Sequence, residues 1–115
     1  MSTEPELSTA QRLVGDVAPK LAELTDNVLF GDVWARPELA RRDRSLVTVA
    51  SLVTNGSTEQ LVSHLRLAKR NGLTEAELVE AITHLAFYAG WPRAMSAITV
   101  AKRVFAEDKH ERAER

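Results

Sequence analysis

The ten residues from Ser45 to Thr54, SLVTVASLVT, carry no charge in a chain of only 115 residues. Small polar side chains are interleaved there with Leu46, Val47, Val49, Ala50, Leu52 and Val53. β-Branched residues are frequent, so propensity alone would admit a strand. The length of the run and the helical spacing on both sides of it favour a helix buried on nearly every side. A domain of this size buries a limited share of its surface and has little material with which to surround one helix. A subunit interface would cover it. The segment sets two expectations: an all-α fold and an obligate homo-oligomer.

Helical spacing recurs elsewhere, and no strand alternation of useful length appears. Thr9 to Leu29 carries Leu13, Val17, Leu21, Leu24 and Val28 at helical intervals, with Pro19 predicting a kink or two shorter helices. Gly31 to Pro37 reads as a break anchored by Trp34. Ser57-Thr58-Glu59-Gln60 fits a capping box that would open a helix running to Arg70 and stopped by Asn71-Gly72. Thr74-Glu75-Ala76-Glu77 is a second capping box, with Leu73 placed to staple onto Leu78. Leu78, Ile82, Leu85, Ala86 and Ala89 form the stripe of that helix, which Gly90-Trp91-Pro92 ends. Pro92 suits the first position of a last helix reaching about Glu107, followed by a solvated, frayed tail, DKHERAER. The expectation is a single domain over residues 1–115, with five to six helices and short loops.

Composition removes several functions. Fifteen basic and sixteen acidic residues leave a net charge of -1, which gives no pull toward nucleic acid or an anionic membrane. The densest basic cluster, Arg41-Arg42-Asp43-Arg44, is interrupted by an acid. The absence of cysteine removes disulfides, thiolate metal sites and thiol redox chemistry. No apolar run approaches the ~20 residues of a membrane span, and the start, MSTEPELS, is polar and acidic. A cytoplasmic protein is expected. Phosphate-loop, dinucleotide and HExxH motifs are missing.

Two histidines stand out. His64 follows Ser57 and Gln60 at helical spacing, but Ser57 and His64 lie two turns apart, roughly 10 Å along the axis, too far for a dyad. With Leu61, Leu65 and Ala68 around it, His64 is either a packed core or interface residue or a reactive group facing a pocket. His84 shares a row with Glu80 and Tyr88, at i−4 and i+4. A carboxylate one turn away can hold an imidazole as a general acid, and Tyr88 adds a second proton donor. The bland alternative is the polar flank of an amphipathic helix. Two histidines and one glutamate could in principle hold a metal, but no metal site is assigned.

Three stretches, RSLVTVASLVTNG (Arg44 to Gly56), HLRLAKRNGLTEAELVEAITHLAFYAGWP (His64 to Pro92) and RAMSAITVAKRVF (Arg93 to Phe105), resemble the carboxymuconolactone decarboxylase family. That family lies within the alkyl hydroperoxidase D-like superfamily. The likeness covers about Phe30 to Phe105. It implies an all-α fold whose helices assemble into dimers and commonly into trimers of dimers. The peroxidase branch has a redox pattern like NGCxxCxxxH. In the same frame this chain has Ser57 and Gln60 where the cysteines would stand, with His64 kept and Ser45 at the place of a helper glutamate. A hydroxyl and an amide form no disulfide, so thiol peroxidase chemistry is disfavoured.

The decarboxylase branch needs no cysteines. Its namesake reaction removes CO2 from 4-carboxymuconolactone without a cofactor, because the unsaturated lactone accepts the electrons as a dienolate. The resemblance implies a protein that orients the departing carboxylate, stabilises charge on the lactone and delivers a proton to carbon. Arg44 or Arg93 would bind a substrate carboxylate. His64 would polarise the lactone or give the proton, His84 oriented by Glu80 is the rival acid, and Tyr88 and Trp91 would wall the pocket. Well-characterised members tend to read YCGVPAAN where this chain reads YAGWPRAM, Tyr88 to Met95, so a different small carbonyl, lactone or quinone-like substrate is expected. The alternative is a non-catalytic, oligomeric small-molecule binder on the same scaffold.

Overall fold

The structure, a computed structural model, describes residues 6–114; residues 1–5 of the acidic start, and Arg115, lie outside the described residues. Among the described residues there are six α-helices and no strand. The chain packs as two units, one ending at Leu39 and the other starting at Ala40.

The first unit holds α1 (Thr9–Val14) and α2 (Pro19–Leu24), then a wider π-helical turn, Thr25–Phe30, and one 3-10 turn, Val33–Ala35. Pro19 opens α2, where its missing N–H has no helical partner to lose. The long apolar repeat is therefore two short helices. Ser8 caps α1 by accepting from the Gln11 amide at 3.0 Å, and its hydroxyl donates to Asp26 at 2.8 Å. Trp34 is buried and stacks on Phe30 at 5.6 Å. Leu13, Val17, Leu21, Leu24 and Val28 are all exposed.

The second unit contains α3 (Arg41–Asn55), α4 (Thr58–Arg70), α5 (Glu75–Leu85) and α6 (Trp91–Glu114). α3 packs on the other three helices, and α4 and α5 each pack on α6. Val49, Val53, Leu61, Leu65, Leu78, Ile82, Ala101 and Val104 form the centre of its core. The uncharged stretch of α3 is covered on one face only. Ser45, Val49 and Val53 face inward, while Val47 is 62% exposed and Ser51 and Thr54 are open as well. Ser45 is buried and polar; its Oγ accepts from the Asn71 side chain at 3.0 Å and ties α3 to the end of α4.

The two capping signatures have different outcomes. Gly56 closes α3 at φ 71°, and the Ser57 amide donates to the Leu52 carbonyl at 2.9 Å. Ser57 starts α4 without a side-chain cap, so the box expected with Gln60 does not form: the amide that Gln60 would reach is already used. The Thr74 box closes in both directions, Glu77 N to Thr74 Oγ1 and Thr74 N to Glu77 Oε1, each 3.0 Å. Leu73 and Leu78 are both buried beside it, as the staple requires. Gly72 makes the preceding stop at φ 107°.

Three expected boundaries move. α5 ends at Leu85 and not at Ala89, because the chain tightens into i→i−3 bonds, Phe87 N to His84 O at 3.2 Å and Tyr88 N to Leu85 O at 3.1 Å. Pro92 is the second residue of α6 and not the first, since Trp91 already belongs to the helix. The tail does not fray at Glu107 but stays helical to Glu114. Asp108 accepts from Arg66 and Lys69, each at 3.2 Å, and Glu107 from Arg66 at 2.8 Å, which pins the helix end to α4. Burial alone would raise the Asp108 carboxyl; the Lys69 and Arg66 bonds outweigh it and hold it below its ordinary value.

Candidate functional site

A cleft of about 480 Å³ opens between α3 and α5. α3 contributes Arg42, Leu46 and Ala50, which are one turn apart on a single row. α5 contributes Glu77, Glu80 and His84, with Ala81, Leu85 and the preceding Leu73 making an apolar floor. One end of the cleft is therefore ionic, the middle is apolar, and the far end carries an imidazole.

The ionic end is built by the first turns of two helices. The Arg42 guanidinium donates to Glu77 across the cleft, and more weakly to its neighbour Asp43 at 3.4 Å. Glu77 is doubly held, since its other oxygen accepts from the Thr74 amide. The Thr74 amide, followed by the Arg42 charge, keeps the Glu77 carboxyl below its ordinary value despite some desolvation. Glu80 and His84 follow on α5, both exposed in the single chain. The His84 ring lies against Tyr88, with centroids 5.0 Å apart, although Tyr88 is past the end of the helix. Phe87 meets Trp91 edge to face at 5.6 Å, and Tyr88, Phe87, Trp91 and Met95 are all exposed.

Of the candidate residues only Glu80 and His84 line the cleft; Tyr88 and Trp91, expected as its walls, are not among the lining residues. Glu80 and His84 share the cleft, with Tyr88 beside His84. His64 does not line it; it is half-buried on α4 with its Nδ1 shielded from solvent, and burial pushes its pKa below the ordinary 6.5. Arg44 also falls outside the lining, because two residues along a helix turn a side chain by about 200°. Arg93 lies over the turn between α3 and α4, where a Cβ on Gly56 would overlap its guanidinium. Gly56 thus serves both a positive φ and a close approach.

Arg42 and Glu77 were not among the expected site residues. The signal for Arg42 was present, since it sits one turn before Leu46 and two before Ala50. Glu77 was recognised as a cap, and its second oxygen gives it the second task. A shallower depression of about 370 Å³ between α4 and the end of α6 holds the Arg66, Lys69 and Asp108 network and neither histidine. Among the described residues no group of three or more His, Asp or Glu side chains is placed to hold a metal ion. No helix among them is long and apolar enough to cross a membrane.

Residues 19–103 match the carboxymuconolactone decarboxylase family. The chain is similar to a 4-carboxymuconolactone decarboxylase of Acinetobacter baylyi, 46% identical over 76 residues, covering 66% of this chain and 57% of that protein. It is similar to a nitrosuccinic acid decarboxylase of Metarhizium robertsii, 38% identical over 81 residues, 70% of this chain and 57% of that protein. An uncharacterised 15.0 kDa protein of Paracoccus denitrificans is 26% identical over 108 residues, 92% of this chain and 78% of its own length. The chain thus spans little more than half the length of the two named decarboxylases.

Proposed function

Because the chain belongs to the carboxymuconolactone decarboxylase family, we propose that it is a cofactor-free carbon–carbon lyase acting on a small carboxylated lactone or a related acid. The substrate would carry an electron acceptor next to the departing carboxylate. The observation that supports this most is the meeting of Arg42, Glu80 and His84 over an apolar floor in one cleft. The carbon–carbon bond breaks heterolytically, its electron pair passes onto the lactone or equivalent acceptor, and CO2 leaves. His84 then gives a proton to the carbon that carried the carboxylate. Glu80, one turn earlier on the same face, orients the ring. Tyr88 packs its ring against the imidazole. The apolar floor shields one side of the carbanion from water.

His64 is assigned a packing role. It is half-buried on α4 and does not line the cleft that holds Glu80 and His84. The names of the two decarboxylases frame the substrate class, since both acids carry two carboxyl groups near an electron-accepting group. We further infer a homo-oligomer, a dimer or a trimer of dimers. Exposed Val47, Phe87, Tyr88, Trp91 and Met95 favour it, as does a cleft that one chain leaves open.

The test is CO2 release by the purified chain, with 4-carboxymuconolactone and nitrosuccinate offered separately and the oligomeric state followed by light scattering. Release above the buffer rate from at least one acid, by a species larger than the 12.7 kDa monomer, is expected. No release from either acid would remove the lyase assignment and favour a binding protein. A stable monomer would remove the oligomer.

A further inference from the structure

The ionic end of the cleft has a property that a simple helix-to-helix strap does not need. Arg42 has five N–H donors. Glu77 takes one and Asp43 another, so three remain at a side chain that is 41% exposed and lines the cleft. Both Glu77 oxygens are engaged, one by the Thr74 amide and one by Arg42, so the guanidinium is held from a fixed point on α5. His84 lies seven residues beyond Glu77, about 10 Å along the helix axis, with Glu80 between them. The floor between is Leu46, Ala50 and Ala81, which offers no other cation.

We infer that Arg42, steadied by Glu77, anchors a second carboxylate that the substrate keeps, and so fixes which end of a small dicarboxylic acid reaches His84. The assignment rests on the decarboxylase reading for its orientation. An arginine fork with free parallel donors recognises a carboxylate bidentately. The Glu80 carboxylate, which lines the middle of the cleft, repels a substrate carboxylate placed near it. That repulsion disfavours anchoring at the middle of the cleft. The two charges of a dicarboxylate are therefore not equivalent in this site: one rests on Arg42 and the other lies toward Glu80 and His84.

The experiment is an NMR titration of the full chain with monomethyl succinate and with dimethyl succinate, which keeps the length and loses the remaining charge. Wild type is expected to prefer the monomethyl ester by about 10- to 100-fold, the range of a charge-assisted hydrogen-bond pair. In Arg42→Gln the preference should fall to near one, and Arg42→Lys should restore part of it. A strap without a binding role would lower the melting temperature of Arg42→Gln and leave the preference intact, which would overturn the anchor. Absence of any preference in wild type would overturn it as well. CO2 release is scored separately: a chain that shows the Arg42-dependent preference but releases no CO2 would sink the lyase reading and keep the anchor.

Discussion

Helix α4 begins where α3 has barely ended, with only Gly56 and Ser57 between them, while four residues separate α4 from α5. Ser57 spends its amide on the Leu52 carbonyl to close α3 and has none left for Gln60. Thr74 stands in extended backbone, at φ −82° and ψ 160°, and makes a full reciprocal box with Glu77. Each helix then carries a histidine. On α4, His64 is half-buried with a shielded Nδ1; on α5, His84 stands exposed in a cleft with Glu80, its ring against Tyr88. A residue that must finish one helix cannot also cap the next in the usual way, and the consequences extend past the cap. Glu77, fixed by its cap, holds Arg42 over the cleft that contains His84, whereas Gln60 fixes nothing comparable.

The largest effect that tests this contrast is on turnover. His84→Gln is expected to lower CO2 release by roughly 10²–10⁴-fold, the usual contribution of a positioned general acid. That corresponds to about 3–5 kcal/mol of barrier. Because His84 is exposed, the melting temperature should stay where it is. Steady-state rates and a thermal melt on the same preparation check both halves. Undiminished release by the variant would move the acid elsewhere and dissolve the distinction between the two helices.

The all-α fold was legible because apolar residues recur at helical spacing, and Thr74-Glu77 and Gly72 mark their boundary correctly. The Ser57 box was not, since the motif is local and the competing bond to Leu52 belongs to the previous helix. The extension of α6 past Glu107 rests on partners 39 to 42 residues away, Arg66 and Lys69, which no window along the tail contains. At the site, Glu80 and His84 could be paired from spacing alone. Arg42 could be placed beside them only by knowing that the first turns of α3 and α5 meet. Ser45 reads as an ordinary small residue until Asn71 is seen to satisfy it.

A smaller effect belongs to His64. His64→Gln should cost about 1–2 kcal/mol through lost packing and hydrogen bonding, with turnover unchanged. Its pKa is below 6.5 in the folded chain because burial disfavours the imidazolium. The unfolded chain therefore takes up this proton first as pH falls, and stability drops from pH 6.5 down through the depressed folded value. Above 6.5 the contribution is flat. Urea unfolding at several pH values should show this acid-side loss in wild type and a shallower one in His64→Gln. Lost turnover with unchanged stability would instead make His64 the reacting group.

The smallest effect separates the two caps directly. Thr74→Ala should lower stability by about 1 kcal/mol, because the Glu77 amide loses its acceptor. Ser57→Ala should change it by no more than a few tenths, since the Ser57 side chain makes no cap bond to lose. Urea midpoints at constant slope measure both, and equal losses would mean that Ser57 caps α4 after all. Thr74→Ala also has a consequence that Ser57→Ala lacks. Loosening the first turn of α5 loosens Glu77, and through it the guanidinium of Arg42. In a double-mutant cycle of Thr74→Ala with Arg42→Gln the double variant should therefore lose less than the sum of the two single losses, because both act on Glu77. Ser57→Ala with Arg42→Gln should add independently. Additivity in both cycles would show that the α5 cap is a local feature with no reach into the cleft, and that only the histidines distinguish the two helices.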